Sequence, residues 1–391
     1  MTWPARRFLQ LVEDVTGGNV KVQKKDYLDH GDIPVIDQGL SIIAGYTNEV
    51  EDAFSGELPV VIFGDHTRIV KYIDFPFVLG ADGVKVLTPK KELDAKFLYH
   101  YLNYIEIPNH GYSRHYKFLK ERTIPHPSIT EQRRIVEILD QADHLRKLSA
   151  QAKAKTERVL PALFINMFGD PATNTSMWPE QRLSELVEIG TRLVDPTLSE
   201  FSDFPHIGGE QIEKNSGRIL DYKLVKESDL RSSKFIFSEK HILYSKIRPY
   251  LNKVAFPKFK GLCSADIYPL LPKHPAITPW YLVAALRTQA FLSYALTCSD
   301  RLRMPKLNKE QLGAFLLSVP DMKTVTVFED QAELIAKMIL HRAKVNEKTE
   351  SLFLILLHRA FSGNLTAAWR EAHMKELLVE MEQQTKALND H

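Results

Sequence analysis

Four stretches of this 391-residue chain hold residue types able to do chemistry. Gly64-Asp65-His66-Thr67-Arg68 sets a carboxylate beside an imidazole, the pairing of a general acid–base site. Asp94-Ala95-Lys96 has the spacing of the D/E-x-K half of a metal-dependent nuclease site. The segment 109–122 interleaves Arg114, His115, Lys117, Lys120 and Arg122 with Tyr112, Tyr116 and Phe118. The segment 299–309 carries Arg301, Arg303, Lys306 and Lys309. Cations clustered in a loop beside aromatic rings suit phosphates and bases.

The elements that must position these residues occur twice. Trp178-Pro179, Arg182 and Leu186-Val187 stand 175 residues after Trp3-Pro4, Arg7 and Leu11-Val12. The apolar run Val60–Phe63 matches His241–Tyr244 at an offset of 181. Ala81-Asp82, Phe97-Leu98 and Leu102 match Ala265-Asp266, Tyr281-Leu282 and Leu286 at 184. Pro127, Lys155-Thr156-Glu157 and Phe168 match Pro320, Lys348-Thr349-Glu350 and Phe361 at 193. The offset grows in one direction only, as it does when two copies of one unit differ by loop insertions.

Each copy runs into a long helix. From Thr130 to Phe168, apolar or small residues recur in steps of three and four at Ile135, Ile138, Ala142, Leu145, Ser149, Ala152, Val159 and Leu163, with Thr156 a weaker member. The spacing is close to a coiled-coil seam, with charged residues between. Thr130 is the expected N-cap, and Pro161 is expected to kink the helix near its end. The second copy repeats the pattern from Val325 to Phe361, through Phe328, Ile335, Met338, Val345, Leu352 and Leu356. A helix of this length cannot bury a seam on itself, so the two are expected to pair antiparallel. The expected fold is α+β, with two tandem α/β domains separated and followed by long helices. Its expected parts are residues 1–128, a spacer helix 129–169, residues 170–320, a second helix 321–363 and a helical tail 364–391. Ala95–Tyr104, Pro279–Tyr294 and Thr366–Lys386 read as further helices.

The repeat also weighs the chemistry. Where the first copy has Gly64–Arg68, the second has Ser245-Lys246-Ile247-Arg248-Pro249-Tyr250. The acid and the histidine do not recur, but a cationic, hydrogen-bonding tip after a buried strand does. Arginine and lysine pair with guanine acceptors and phosphates, while His, Thr and Ser make smaller contacts. The second copy has no counterpart of Lys96, and the matched acids Asp82 and Asp266 have no well-placed companion. The chain has no GxxxxGK[ST] phosphate loop and no HExxH. It also lacks a glycine-rich cofactor loop with an Asn/Asp-Pro-Pro-aromatic tetrapeptide. A DNA-reading role, not a catalytic one, is expected. Its candidate residues are His66, Thr67, Arg68, Tyr112, Arg114, His115 and Lys117 in the first copy, with Lys246, Arg248, Tyr250, Arg301, Arg303 and Lys306 in the second. No residue is a candidate catalyst or metal ligand. A stand-alone nuclease or methyltransferase is the rival reading.

Composition sets the remaining bounds. Lys+Arg 51 against Asp+Glu 49 leaves a formal charge of +2, so any basic surface is local. The two cysteines, Cys263 and Cys298, form no CxxC. The opening MTWPARRFLQLVEDV lacks the apolar core of a signal peptide. No apolar run reaches the roughly 18 residues of a membrane span. A cytoplasmic protein with no membrane contact is expected.

The ordered motifs resemble the specificity (S) subunit of type I restriction–modification systems. They are VIFGDHTRIVKYIDFPFVLGADGVKVL (61–87, with Val60 before it), PHPSITEQRRIVEILD (125–140) and ALFINMFGDP (162–171). In the second copy they are LYSKIRPYLNKVAFPKFKGLCSADI (243–267), RMPKLNK (303–309) and AFSGNLTAAWR (360–370). The resemblance implies that each unit is a target recognition domain reading one half of a bipartite, asymmetric double-stranded DNA sequence, with the helices as spacer. It implies two modification (methyltransferase) subunits as partners, which two restriction (translocase–nuclease) subunits can join. S-adenosylmethionine, Mg and ATP would be used by those partners, and no cofactor by this chain. One departure stands out: where the first helix begins Thr130-Glu131-Gln132, the second begins Pro320-Asp321-Met322.

Overall fold

The structure, a computed structural model, describes residues 3–81, 83–109, 111, 113–174, 176–299 and 305–389. By packing, the chain divides into two compact units: residues 1–147 with 348–391, and residues 148–347.

In the first unit a four-stranded antiparallel sheet runs in the order Val12–Asp14, Val84–Pro89, Val60–Gly64, Val70–Ile73. A second sheet runs Lys21–Val22, Val78–Gly80, Ile33–Ile36, Gly45–Thr47. Its first two pairings are parallel. The run Val60–Phe63 is apolar at every position because both faces of its strand are covered. Val61 and Phe63 pack under the helix Ala95–Tyr104 with Phe97, Leu98 and Leu102. Val60 and Ile62 pack with Ile36 and Leu79 of the second sheet and with Phe77 just before it. Ala5–Arg7 pairs with Thr123–Pro125 and closes the domain.

The second unit repeats this order. Its antiparallel sheet runs Val187–Ile189, Ile267–Pro272, Ile242–Ser245, Val254–Ala255. A five-stranded sheet holds the parallel pair Pro205–Ile207 and Gly261–Cys263. Glu180–Arg182 closes the domain on Leu316–Ser318. The expected helix Pro279–Tyr294 is two, Pro279–Ala285 and Gln289–Cys298. Thr288 starts the second, its hydroxyl accepting the Phe291 N–H.

The first long helix covers Ile129–Glu157 and gives way at Arg158 to a separate helix, Val159–Phe168. Pro161 therefore lies in the first turn of a new helix, where its missing N–H has no intrahelical partner to lose. Ser128, not Thr130, caps the long helix, its Oγ accepting the Glu131 N–H at 3.2 Å. The second long helix is continuous over Met322–Phe361. Asp321 caps it by accepting the Thr324 N–H at 2.9 Å, so the departure Pro320-Asp321 is a different start to the same kind of helix. The tail forms two helices, Ala367–Ala372 and Met374–Asn389.

Within each unit the long helices lie antiparallel. In the first, Glu131 contacts Thr366 and Arg370, whereas Arg146, a little over four turns further on, contacts Glu350 and Phe353. In the second, Phe164 and Phe168 pack against Phe328 with ring centroids 6.1 and 5.2 Å apart. The seam differs from the one expected. Leu145, Val159, Met338 and Leu352 are exposed. The buried line instead follows Ile135, Leu139, Asp143 and Thr156 on the first long helix and Leu160 and Phe164 on the helix after it. On the second long helix it follows Phe328, Ala332, Ile339, Ala343, Phe353 and Leu357. An α-helix turns 3.6 residues per repeat, so its apolar stripe drifts off a fixed 3.5-residue frame.

Candidate nucleic-acid interface

The strand Val60–Gly64 ends in a turn, Asp65–Arg68, that leads back into Val70–Ile73. Arg68 N–H donates to Gly64 O at 2.7 Å, and Arg68 itself is left-handed, with φ +62°. Asp65 is buried. Its Oδ1 accepts the Tyr116 N–H at 2.7 Å, and its carbonyl accepts from His115 N and Nδ1 at 2.8 and 2.9 Å. His66 Nδ1 donates to Ser113 O at 3.2 Å. Thr67 Oγ1 donates to Gln38 O at 2.7 Å, and the His66 N–H to Gln38 Oε1 at 3.1 Å. Arg68 Nη1 donates to Ile107 O at 3.0 Å. The tip and the basic segment are thus joined by hydrogen bonds, with the connection around Gln38 as a third component.

Of the basic segment, Arg114 and Lys117 are exposed. Lys117 Nζ sits 4.9 Å from the Phe118 ring and Lys120 Nζ 5.1 Å from the Tyr116 ring. Burial, with Asp14 and Asp65 nearby, pushes the Tyr116 phenol up to about 12. His115 corrects the sequence reading. It is fully buried and props the tip through Asp65, so its ring faces the interior. Tyr112 lies outside the described residues, as do Asp82 and His110.

The second unit builds the same junction. Beyond Ile242–Ser245, Lys246 O accepts the Leu307 N–H at 2.9 Å and Pro305 O accepts the Arg248 N–H at 2.8 Å. Ile247 and Lys306 form an antiparallel bridge. Arg248 is left-handed, with φ +50°. Arg248, Tyr250 and Lys306 are exposed. Lys246 is a second correction. It is buried, its Nζ donating to Ala265 O and lying 4.7 Å from the Tyr268 ring. Burial, and then the charge of Lys306, lower its pKa. Arg301 and Arg303 lie outside the described residues.

Arg68 and Arg248 lie in the turns that follow equivalent central strands and share a left-handed backbone conformation that costs an L residue about 1–2 kcal/mol. Arg68 is half-buried and Arg248 exposed, and strain of this kind persists only where the surrounding structure holds it. The groups that reach the surface there are guanidinium, ammonium, hydroxyl and phenol, which can donate to phosphates and base edges. Sequence reasoning missed Gln38, although Asp37-Gln38-Gly39 after an apolar strand is a turn signal.

The nuclease-like spacing resolves differently. Asp94 caps the helix Ala95–Tyr104, its Oδ1 accepting the N–H groups of Lys96 and Phe97 at 2.9 and 3.0 Å. Lys96 pairs with Asp140 at 2.5 Å. Among the described residues no group of three His, Cys, Asp or Glu side chains is placed to hold a metal. No helix among them is long and apolar enough to cross a membrane.

A family model for the type I restriction modification DNA specificity domain matches residues 8–158. The specificity subunit of the Escherichia coli type I restriction enzyme EcoDI is 31% identical over 201 residues. That match covers 49% of this chain and 43% of the relative. The EcoR124I/EcoR124II specificity subunit, also from Escherichia coli, is 33% identical over 132 residues, covering 30% of this chain and 33% of the relative. The chain thus matches less than half the length of either curated relative. The crystal structure of a type I restriction–modification S subunit from M. genitalium shares the fold with a TM-score of 0.56 at 16% identity. It covers 92% of this chain and 96% of that one. Residues 8–158 thus match the type I restriction modification DNA specificity domain, and the second unit repeats the architecture of the first.

Proposed function

We propose that each unit's tip reads one half of a bipartite, asymmetric duplex DNA sequence, and that the paired helices set the gap between the halves. The observation that carries this is the repeated tip: left-handed Arg68 and Arg248, each in the turn after an equivalent strand, in turns tied by backbone hydrogen bonds to a basic segment, His115 N–H to Asp65 O in the first unit and Arg248 N–H to Pro305 O in the second. Arg248, Tyr250 and Lys306 act in one half-site; Arg68, Thr67, Arg114 and Lys117 act in the other. A helix of 40 residues is roughly 60 Å long, enough to separate two readers by more than one turn of B-DNA.

The chain does no chemistry in this reading and works in the cytoplasm. It binds two modification subunits that methylate adenine with S-adenosylmethionine, and restriction subunits using ATP and Mg can join the complex. Methylome sequencing with and without the gene is the direct test. Loss of one bipartite methylated motif is expected. Loss of an uninterrupted motif, or of none, would overturn the proposal. The purified chain, incubated with DNA and Mg²⁺ with or without S-adenosylmethionine, is expected to leave the DNA unchanged; cleavage or methylation would favour the enzyme reading.

A further inference from the structure

One charge in the second unit is buried with no counter-ion at contact distance among the described residues. Arg287 sits between the helices Pro279–Ala285 and Gln289–Cys298 and is 5% exposed. An arginine this deep is ordinarily held by a carboxylate. Arg287 instead donates from Nη2 to Val254 O at 2.5 Å, and its buried Nε has no acceptor among the described residues. Glu157, whose charge reaches Arg287, is paired with Lys153 at 2.9 Å. Glu213 pairs with Lys153 and Arg218 at 3.1 and 3.2 Å, and Glu347 with Arg218 at 2.6 Å. Burial lowers the Arg287 guanidinium to about 10, and the attraction of Glu157 does not offset it. Burial acts on Arg218 as well, but hydrogen bonds to Glu347 and Glu213 outweigh it and raise that pKa.

The same guanidinium lines a cavity of about 220 Å³. Phe256, Phe259, Trp280, Ile339 and Leu340 give it apolar walls. The connection of residues 208–222 closes over one side of Arg287. Gly217, left-handed at φ +61°, lies so near that a Cβ there would collide with Arg287 Nη2 and Val254 O. Leu340 lines the cavity yet is 44% exposed, so the space opens to solvent beside the long helix Met322–Phe361. An apolar hollow with a single polar group held in fixed geometry is the usual form of a small-molecule site.

We propose that this cavity binds a small organic monocarboxylate, its carboxylate on the Arg287 guanidinium and its aromatic or branched aliphatic body against Phe256, Trp280 and Leu340. The planar guanidinium fork matches a carboxylate, and the single negative charge answers the single cation left without a contact partner. Inorganic phosphate suits the space less. It carries charge beyond the one that Arg287 can meet, which is costly in apolar surroundings, and it has no hydrocarbon to set against the walls. None of the lining residues is among those assigned to DNA, so the site does not depend on that reading.

The test is calorimetric titration of the full chain with benzoate, phenylacetate and isovalerate. Phenylacetamide serves as the uncharged counterpart, and inorganic phosphate as an anion with no apolar body. At least one of the three acids is expected to bind saturably, one per chain, and at least tenfold more tightly than phenylacetamide or phosphate. Arg287→Met should weaken that binding at least tenfold. Where that variant fails to fold, Ala336→Leu carries the same expectation, because it fills the cavity from its helical wall and leaves the guanidinium in place. Binding of none of the three acids would overturn the proposal. So would equal binding of phenylacetamide or phosphate, or undiminished binding by either folded variant.

Discussion

Replacing Arg248 by glycine and, separately, by alanine pulls stability and recognition in different directions. At φ +50° and ψ 61° an L side chain carries about 1–2 kcal/mol of strain. Glycine removes it but loses about 0.5–1 kcal/mol through the greater freedom of its unfolded chain. Alanine keeps the strain and loses the guanidinium. Arg248→Gly is therefore expected to be as stable as the parent or slightly more so, and to exceed Arg248→Ala by about 1 kcal/mol in urea unfolding. Recognition should fall in both. A bidentate arginine–base contact is worth about 1–3 kcal/mol, or roughly 5- to 150-fold in affinity. The loss should be confined to one half-site, read by titrating the assembled complex with duplexes altered in one half at a time. Equal stability of the two variants would mean that the turn relaxes and imposes no left-handed residue. Equal loss at both half-sites would mean that Arg248 contacts backbone or holds the fold.

Deleting one helical turn from both long helices is expected to shorten the recognised gap by about two base pairs, from 1.5 Å per residue against 3.4 Å per pair; an unchanged methylated motif would refute the spacer role. Glu131 is buried and accepts from Thr366, Arg370 and Trp3 at 2.6, 2.7 and 3.0 Å. Glu131→Ala strands a buried guanidinium and should cost about 3–5 kcal/mol in urea unfolding, with faster hydrogen exchange in the tail; a cost below about 1 kcal/mol would contradict the clamp. Burial raises the Glu213 carboxyl, but hydrogen bonds from Ser216, Arg218 and Lys153 outweigh it and hold the pKa below the ordinary 4.5. Its contribution is thus present above that value and lost as pH falls through the depressed one. Glu213→Gln should flatten the acid limb of the stability curve below about pH 4.5, and an unaltered limb would count against the pairing.

The repeat was legible because drifting offsets survive loop insertion. Val60–Phe63 and its counterpart became interior strands of the two matched sheets because a strand covered on both faces is apolar nearly throughout. The helix seam was legible only in outline. Leu145 and Met338 sit on the right period but on the wrong side of a stripe that drifts, and its buried middle carries Asp143 and Thr156, which apolar counting passes over. The tips were found by residue type, which cannot tell an outward cation from one turned in. Lys246 and Arg248 are two residues apart, yet one is buried on Ala265 O and the other exposed. His115 failed likewise, because its partner Asp65 is 50 residues away. The Glu131 clamp joins residues more than 230 positions apart, and no local pattern announces it.

The first unit takes residues from both ends of the chain, while the second is one continuous run, 148–347. On the ribosome this inverts the order of completion. The domain translated first must wait about 200 residues for its second helix and tail, roughly 10–40 s at ordinary elongation rates. Meanwhile Ile135, Leu139 and Glu131 lack the side chains that cover them. The later domain is finished first, and a chain that stalls before residue 348 carries one complete unit and one that is still open.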